Sequence, residues 1–178
     1  MKSYDYSQRK GVEEISWQRF SGLAVRLAEC LAMEEIDVVV GIARAGLFPA
    51  TVVACALRKE FFPVRITRRL NDQVTFQQPV WKVDVSKEVA GKVVAVIDEI
   101  ADTGETLRLV AQRVQEMGAA RIITGCLASH SWAKPAPDHV VLETDALVIF
   151  PWDKQVYQDG KWQVHPELAD ALKLQNRQ

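Results

Sequence analysis

Apolar positions along the chain change period several times, and those changes predict its elements. After Ser16, a residue type suited to capping a helix, Phe20, Leu23, Ala24, Leu27, Ala28 and Leu31 recur at the spacing of one buried helical face. Asp37–Ile42 (DVVVGI) is short, β-branched and apolar after its first residue, as in a strand covered on both faces. It runs into the loop Gly41-Ile-Ala-Arg-Ala-Gly46. Leu47–Lys59 then predicts a helix with Pro49 tolerated in its first turn, and a strand follows around Pro63–Thr67. Lys92–Ile97 (KVVAVI) predicts another buried strand, Asp98–Gly104 a loop, Glu105–Met117 a helix closed by Gly118, and Arg121–Ala128 a further strand. Strands alternating with helices predict an α/β fold on a parallel sheet.

Two stretches depart from that rhythm. Arg68–Glu88 mixes charge, Asn71-Asp72, glutamines and Pro79 with only broken alternation around Val80–Val85, which predicts a mobile excursion with a hairpin as the alternative. Beyond Ser129–Asp138, rich in proline and polar groups, come two short apolar runs, His139–Leu142 and Ala146–Phe150, and a helix beginning near Pro166. With no internal repeat or linker, 178 residues predict one domain.

Composition narrows the partners. The 22 basic and 23 acidic residues give a net charge of −1, so no global footprint for nucleic acid or an anionic membrane is expected and anion binding must be local. Cys30, Cys55 and Cys126 are too scattered for a disulfide framework or a zinc site, and each is expected as a small core residue. No apolar run approaches the roughly 18 residues that span a bilayer, so a cytoplasmic setting is expected.

The chemistry concentrates in Val93–Leu107, VVAVIDEIADTGETL. A strand delivers the adjacent carboxylates Asp98 and Glu99, and a small polar loop then opens a helix. Loop amides at a helix start, with Gly104 permitting close approach and the hydroxyls of Thr103 and Thr106 adding donors, form a cradle for a phosphate. Acceptor-only carboxylates suit vicinal ribose hydroxyls or the water shell of magnesium (Mg2+). Taken singly, the same residues also describe a strand end, an ordinary turn and a helix cap. Gly41–Gly46 has the outline of a P-loop, but Leu47 and Phe48 stand where Lys and Ser or Thr are required, which argues against a nucleoside-triphosphate site.

Taken whole, Val93–Leu107 resembles the phosphoribosyl pyrophosphate (PRPP) motif of type I phosphoribosyltransferases: four apolar residues, two acidic ones, then Asp-Thr-Gly-x-Thr, matched at every position. The order of elements from about Val38 to Trp152 is similar as well. The resemblance implies a central parallel β-sheet flanked by helices on both faces, with a core over about 36–130 and a small hood from about 131–178 and the N-terminal segment. It implies that Asp98 and Glu99 bind the ribose hydroxyls and that Ala101, Asp102, Thr103, Gly104, Glu105 and Thr106 complete the PRPP site, with Asp102 as general base. The Ala43-Arg44 step resembles the family's pyrophosphate loop, which often has a strained backbone. Arg65, Arg68 and Arg69 stand where similar enzymes place cationic pyrophosphate ligands, although a solvated basic face reads the same way. Ser-Tyr, carried by many purine members in the closing loop, has no counterpart here.

Two features resemble the purine members, of xanthine–guanine or hypoxanthine–guanine type. Lys134-Pro135 resembles the lysine that donates to the purine's exocyclic oxygen. Val148-Ile-Phe-Pro-Trp-Asp153 is similar to the hood segment that stacks on the base. Leu147 stands where a stacking aromatic belongs, so Leu147 packs on the ring or Trp152 or Phe150 supplies the stack; Val148 joins the expected base contacts. Asp98 and Asp153 are the expected magnesium carboxylates, acting through water. None of the histidines is at metal-ligand spacing, and His130 lies nearest the expected base pocket. The implied activity is magnesium-dependent transfer of phosphoribose from PRPP to a 6-oxopurine by a homodimer or larger homo-oligomer. The alternatives are a PRPP-sensing regulator, and transfer to a pyrimidine or other acceptor.

Overall fold

The computed structural model describes residues 8–70 and 73–175. In chain order the elements are β1 (Val12–Glu14), α1 (Trp17–Ala32), β2 (Val38–Ile42), α2 (Leu47–Leu57), β3 (Glu60–Thr67), β4 (Arg69–Leu70), β5 (Gln73–Val74) and β6 (Val80–Val83). There follow β7 (Val93–Ala101), α3 (Glu105–Glu116), β8 (Arg121–Ser129), β9 (His139–Glu143), β10 (Leu147–Ile149), β11 (Gln155–Gln158), β12 (Lys161–Val164) and α4 (Pro166–Gln175). Residues 23–143 form one compact unit, and the described parts of 1–22 and 144–178 form another.

The first unit is built on a sheet of order β6-β3-β2-β7-β8-β9 in which all neighbours are parallel except β6, antiparallel to β3. The β-branched runs of β2 and β7 explain why these strands take the centre: every residue of β2 is buried, as is Val94–Asp98 of β7. Gly41, Ile97 and Gly125 are register partners and so share a face. On that face a methyl added at Gly41 would lie 2.8 Å from Ala50 Cβ of α2, and one added at Gly125 would lie 3.3 Å from Leu27 Cδ1 of α1. Val38, Val40, Ile42, Val94 and Val96 form a cluster with Leu107, Val110 and Val114, which places α3 on the opposite face. Helices therefore cover both faces, as expected.

One expectation is met in part and two need correction. The excursion after Thr67 contains the hairpin, β4 with β5, and then, beyond what was expected, returns β6 to the sheet edge. A short return without a crossover can only pair antiparallel, and Val80–Val83, none of whose residues is fully buried, suits an edge. Asn71 and Asp72 lie outside the described residues. Strand β7 runs on to Ala101 rather than stopping at Ile97, because Asp98, Ile100 and Ala101 find partners in Cys126, Ala128 and Ser129 of β8. Of the cysteines, Cys126 is buried, Cys30 half-buried and Cys55 exposed, since α2 is apolar all round but turns only Pro49, Ala50, Val53 and Ala54 inward.

Helix ends follow the chemistry of their residues. Ser16 Oγ accepts the Arg19 N–H at 3.1 Å and caps α1, while Gly118, at φ +88°, follows α3 in the left-handed conformation open to glycine. In the second unit, β1 pairs in parallel with β10, and Leu147 and Ile149 pack with Leu168, Ala171 and Leu172 of α4. Trp17, Phe20, Phe150 and Trp152 form an aromatic cluster, and β11 and β12 make a hairpin.

Gly41→Ala tests the packing that seats α2 on the sheet. Its methyl would also meet Phe61 Cε2 at 2.7 Å, so thermal or denaturant unfolding should show a loss of about 1–3 kcal/mol. Wild-type stability in this variant would contradict that packing.

Candidate functional site

The site grows from the carboxyl end of β7. Asp98 is only 8% exposed, and its Oδ1 accepts the backbone N–H of Glu99 at 3.0 Å. Burial, and secondarily the neighbouring Glu99, push the Asp98 carboxyl well above the usual range. Gly46, just before α2, presses against this residue: a Cβ there would lie 2.5 Å from Asp98 Oδ1 and 2.6 Å from Ile42 O. Only glycine allows the 41–46 loop and the acidic pair to approach so closely. Beside them, burial pushes the Cys126 thiol up, so it stays protonated and is no nucleophile.

Three residues past the end of β7, the chain turns into α3 through Gly104 at φ +80°. Thr103 Oγ1 accepts the Glu105 N–H at 3.3 Å, and the side chains of Thr103 and Thr106 are exposed, where hydroxyls can serve a ligand. The loop has a back wall. Lys134 N–H donates to Thr103 O at 2.9 Å, and a Cβ at Gly104 would lie 2.4 Å from Pro135 O. The Lys134–Pro135 peptide bond is cis. This joins Lys134 to the loop through the backbone, a connection invisible in sequence spacing.

Asp102 has two ring neighbours, of which His130 was expected near the base pocket and Trp132 was not singled out in the sequence. Trp132 Nε1–H donates to Asp102 Oδ1 at 3.4 Å, and His130 Nε2 lies 3.7 Å from the same oxygen. The buried His130 ring stacks on Trp132 with centroids 4.5 Å apart. His130 thus sits against Asp102.

Positive charge gathers at the ends of β2 and β3. A cavity of about 110 Å³ is lined by Ala43, Arg44, Arg65, Thr67 and Arg69, and the Ala43–Arg44 peptide bond is cis. Arg68, expected among these ligands, is exposed and is not part of the lining. The chain bends at Arg68, between the end of β3 at Thr67 and the start of β4 at Arg69, and the bend leaves the Arg68 side chain outside the lining. Three guanidiniums around one cavity give it a fork geometry suited to phosphate oxygens.

The remaining expected residues belong to the second unit. Leu147 is 5% exposed, spent on packing against Ile149 and Ala171, so it offers no apolar surface to a base. Trp152 is stacked on Phe150 with centroids 4.9 Å apart and planes 4° apart; Val148 is half-buried and pairs with Glu13. Asp153 is exposed, and its N–H donates to Phe150 O at 3.0 Å, the bond of a turn.

Among the described residues no three His, Cys, Asp or Glu side chains stand together as a metal site. The donor set that fits a hard divalent cation is the buried Asp98 beside Glu99, two carboxylates whose mutual repulsion a cation relieves and whose few oxygens leave positions for ligand and water.

The family profile described as phosphoribosyl transferase domain matches residues 11–159. A xanthine-guanine phosphoribosyltransferase of Nitratidesulfovibrio vulgaris is 32% identical over 124 residues, 66% of this chain and 69% of the relative. The protein named transcriptional regulator GfcR 1 of Methanosarcina barkeri is 36% identical over 88 residues, 48% of this chain and 41% of the regulator. The crystal structure of a purine phosphoribosyltransferase from Pyrococcus horikoshii superposes with a TM-score of 0.72 at 29% identity, covering 79% of this chain and 93% of that one.

Asp98→Asn tests the electrostatics of the acidic pair. A carboxyl whose folded-state pKa is raised contributes stability below its unfolded value of about 4, and that contribution is lost as pH rises through the folded-state value. At neutral pH, free of ligand and divalent cation, the variant should therefore melt higher by about 2–4 °C, near 1 kcal/mol at this length, and its stability should vary less with pH. A lower melting temperature would contradict the assignment.

Proposed function

The chain belongs to the phosphoribosyl transferase family as a purine-type phosphoribosyltransferase, and on that footing we propose that it transfers the 5-phosphoribosyl group of PRPP to a ring nitrogen of a 6-oxopurine, releasing pyrophosphate. The observation that carries this reading is the continuous run from Asp98 to Thr106, where a carboxylate pair at a strand end leads into a glycine loop at a helix start. Asp98 and Glu99 accept the ribose hydroxyls. The segment Ala101, Asp102, Thr103, Gly104, Glu105 and Thr106 holds the 5-phosphate with backbone N–H groups and hydroxyls. At the other end of the sugar, Ala43 and the Arg44, Arg65 and Arg69 guanidiniums hold pyrophosphate.

Breaking the bond from C1 to pyrophosphate leaves oxocarbenium character on the ribose and builds negative charge on the leaving oxygen. Cations already fixed around that oxygen stabilise it without reorganising. Asp102 accepts the proton that the purine loses as its nitrogen bonds to C1. Lys134 donates to the exocyclic oxygen, which favours a 6-oxopurine over a 6-aminopurine. Asp98 and Glu99 would hold magnesium, with Asp153 a further candidate through water, and the ion would supply charge neutralisation at substrate oxygens. Val148 and Trp152 are the base contacts proposed in the second unit.

A regulatory reading is favoured by the likeness to GfcR 1. A PRPP-dependent change in affinity for nucleic acid is its test.

The enzyme reading is tested by offering hypoxanthine, guanine, xanthine, adenine, orotate and uracil with PRPP and magnesium and following pyrophosphate. Turnover should be fastest with one of the first three, and none with any base would contradict it. In Lys134→Ala, kcat/KM for the preferred base should fall about 10–100-fold, the worth of a hydrogen bond from a charged donor, with KM for PRPP little moved. Unchanged kcat/KM would remove Lys134 from the base site.

A further inference from the structure

Asp102 faces two rings that the proposed chemistry does not use. Trp132 Nε1–H reaches its Oδ1 at 3.4 Å, and His130, buried beneath the Trp132 ring, brings Nε2 to 3.7 Å from the same oxygen. Trp132 is tied into the structure below as well. His130 N–H donates to Ala101 O at 3.2 Å, and Ala133 N–H donates to His130 O at 3.0 Å, so the residues either side of the indole are hydrogen-bonded in place. The next residue, Lys134, bonds the same loop at Thr103 O. The loop from His130 to Lys134 therefore follows the Ala101–Gly104 turn closely, and it brings an indole donor to Asp102.

We propose that Trp132 is the positioning residue for Asp102, its N–H fixing the carboxylate oxygen while the stacked His130 ring holds the indole in plane. This rests on the reading of Asp102 as the group that accepts the purine's proton. An indole N–H is a donor at every pH and cannot itself take the proton, so it orients the carboxylate without competing as a base. The titratable group meeting Asp102 from another element is His130; Glu99 and Glu105 lie on its own segment, and Lys134 follows on the facing loop.

Two readouts on the full chain test this. In the first, the indole N–H signals of the five tryptophans are followed by NMR across pH, with Trp132 assigned by its loss in W132F. The Trp132 signal should move with a carboxylate titration, and the movement should vanish in D102N. In the second, W132F keeps an aromatic ring on His130 but removes the N–H. Its kcat should fall about tenfold, part of the roughly 10²–10⁴-fold that a positioned base contributes. Its KM for PRPP should hold. In H130F the acid limb of kcat should persist. A Trp132 signal unaffected by D102N, or W132F with wild-type kcat, overturns the proposal. Loss of the acid limb in H130F overturns it too, assigning the proton to the histidine. Should wild type turn over no purine, the enzyme reading fails by itself, and the indole titration still decides whether Trp132 holds Asp102.

Discussion

Asp98 is a carboxylate placed where carboxylates are costly. It sits inside the sheet's end, beside a second carboxylate, with Gly46 pressed against it so closely that no side chain fits between. Burial of such a pair opposes folding unless the charge is neutralised, and the rest of the first unit is arranged around tolerating it. Strand β7 is held on both sides, by β2 through Gly41 and by β8 as far as Ser129, so the pair cannot swing into solvent by fraying. The apolar cluster of β2, β7 and α3 holds that strand in register. The site is thus a local instability supported by a continuous core, the distribution expected where a group awaits a cation or a polyhydroxy ligand.

Topology explains why the subsites meet there. From β2 the chain crosses through α2 on one face to β3, and from β7 it crosses through α3 on the other face to β8, so the winding reverses between β2 and β7. Loops leaving the carboxyl ends of adjacent strands diverge at such a reversal and leave a crevice. The Gly41–Gly46 loop and the Asp98–Gly104 segment flank that crevice. One side brings carboxylates and loop amides, the other three guanidiniums, an arrangement complementary to a ligand with hydroxyls at one end and a polyanion at the other.

Much of this was legible in the sequence. The α1 face, the buried strands, the Gly118 terminus and the acid-pair-to-glycine-loop run all depend on neighbours within a few residues, where period and cap chemistry act directly. Features set by distant partners were not. The extension of β7 past Ile97 depends on the length of β8, and the antiparallel β6 on the brevity of its return. Of the three arginines expected there, Arg65 and Arg69 line the cavity and Arg68 does not, because the chain bends at Arg68 between β3 and β4, a local break that the run of basic residues does not signal. The β11–β12 hairpin carried its own signal in Asp159-Gly160, both at positive φ, between two alternating strands. Leu147 and Trp132 are different. Whether an apolar residue packs inward or faces a ligand is decided by α4 in the first case and by the 130–134 loop in the second.

The central claim is that the end of β7 and the loop into α3 form the sugar-phosphate site, with the Ala43-Arg44 loop as its anion-binding counterpart. Amide hydrogen exchange, resolved by residue, addresses it most directly, because backbone N–H groups are the proposed phosphate donors. On addition of PRPP with magnesium, exchange at residues 102–106 should slow strongly, with a second protected segment at 43–46. Unchanged exchange at 102–106 under saturating PRPP, or protection confined to other segments, would contradict the account.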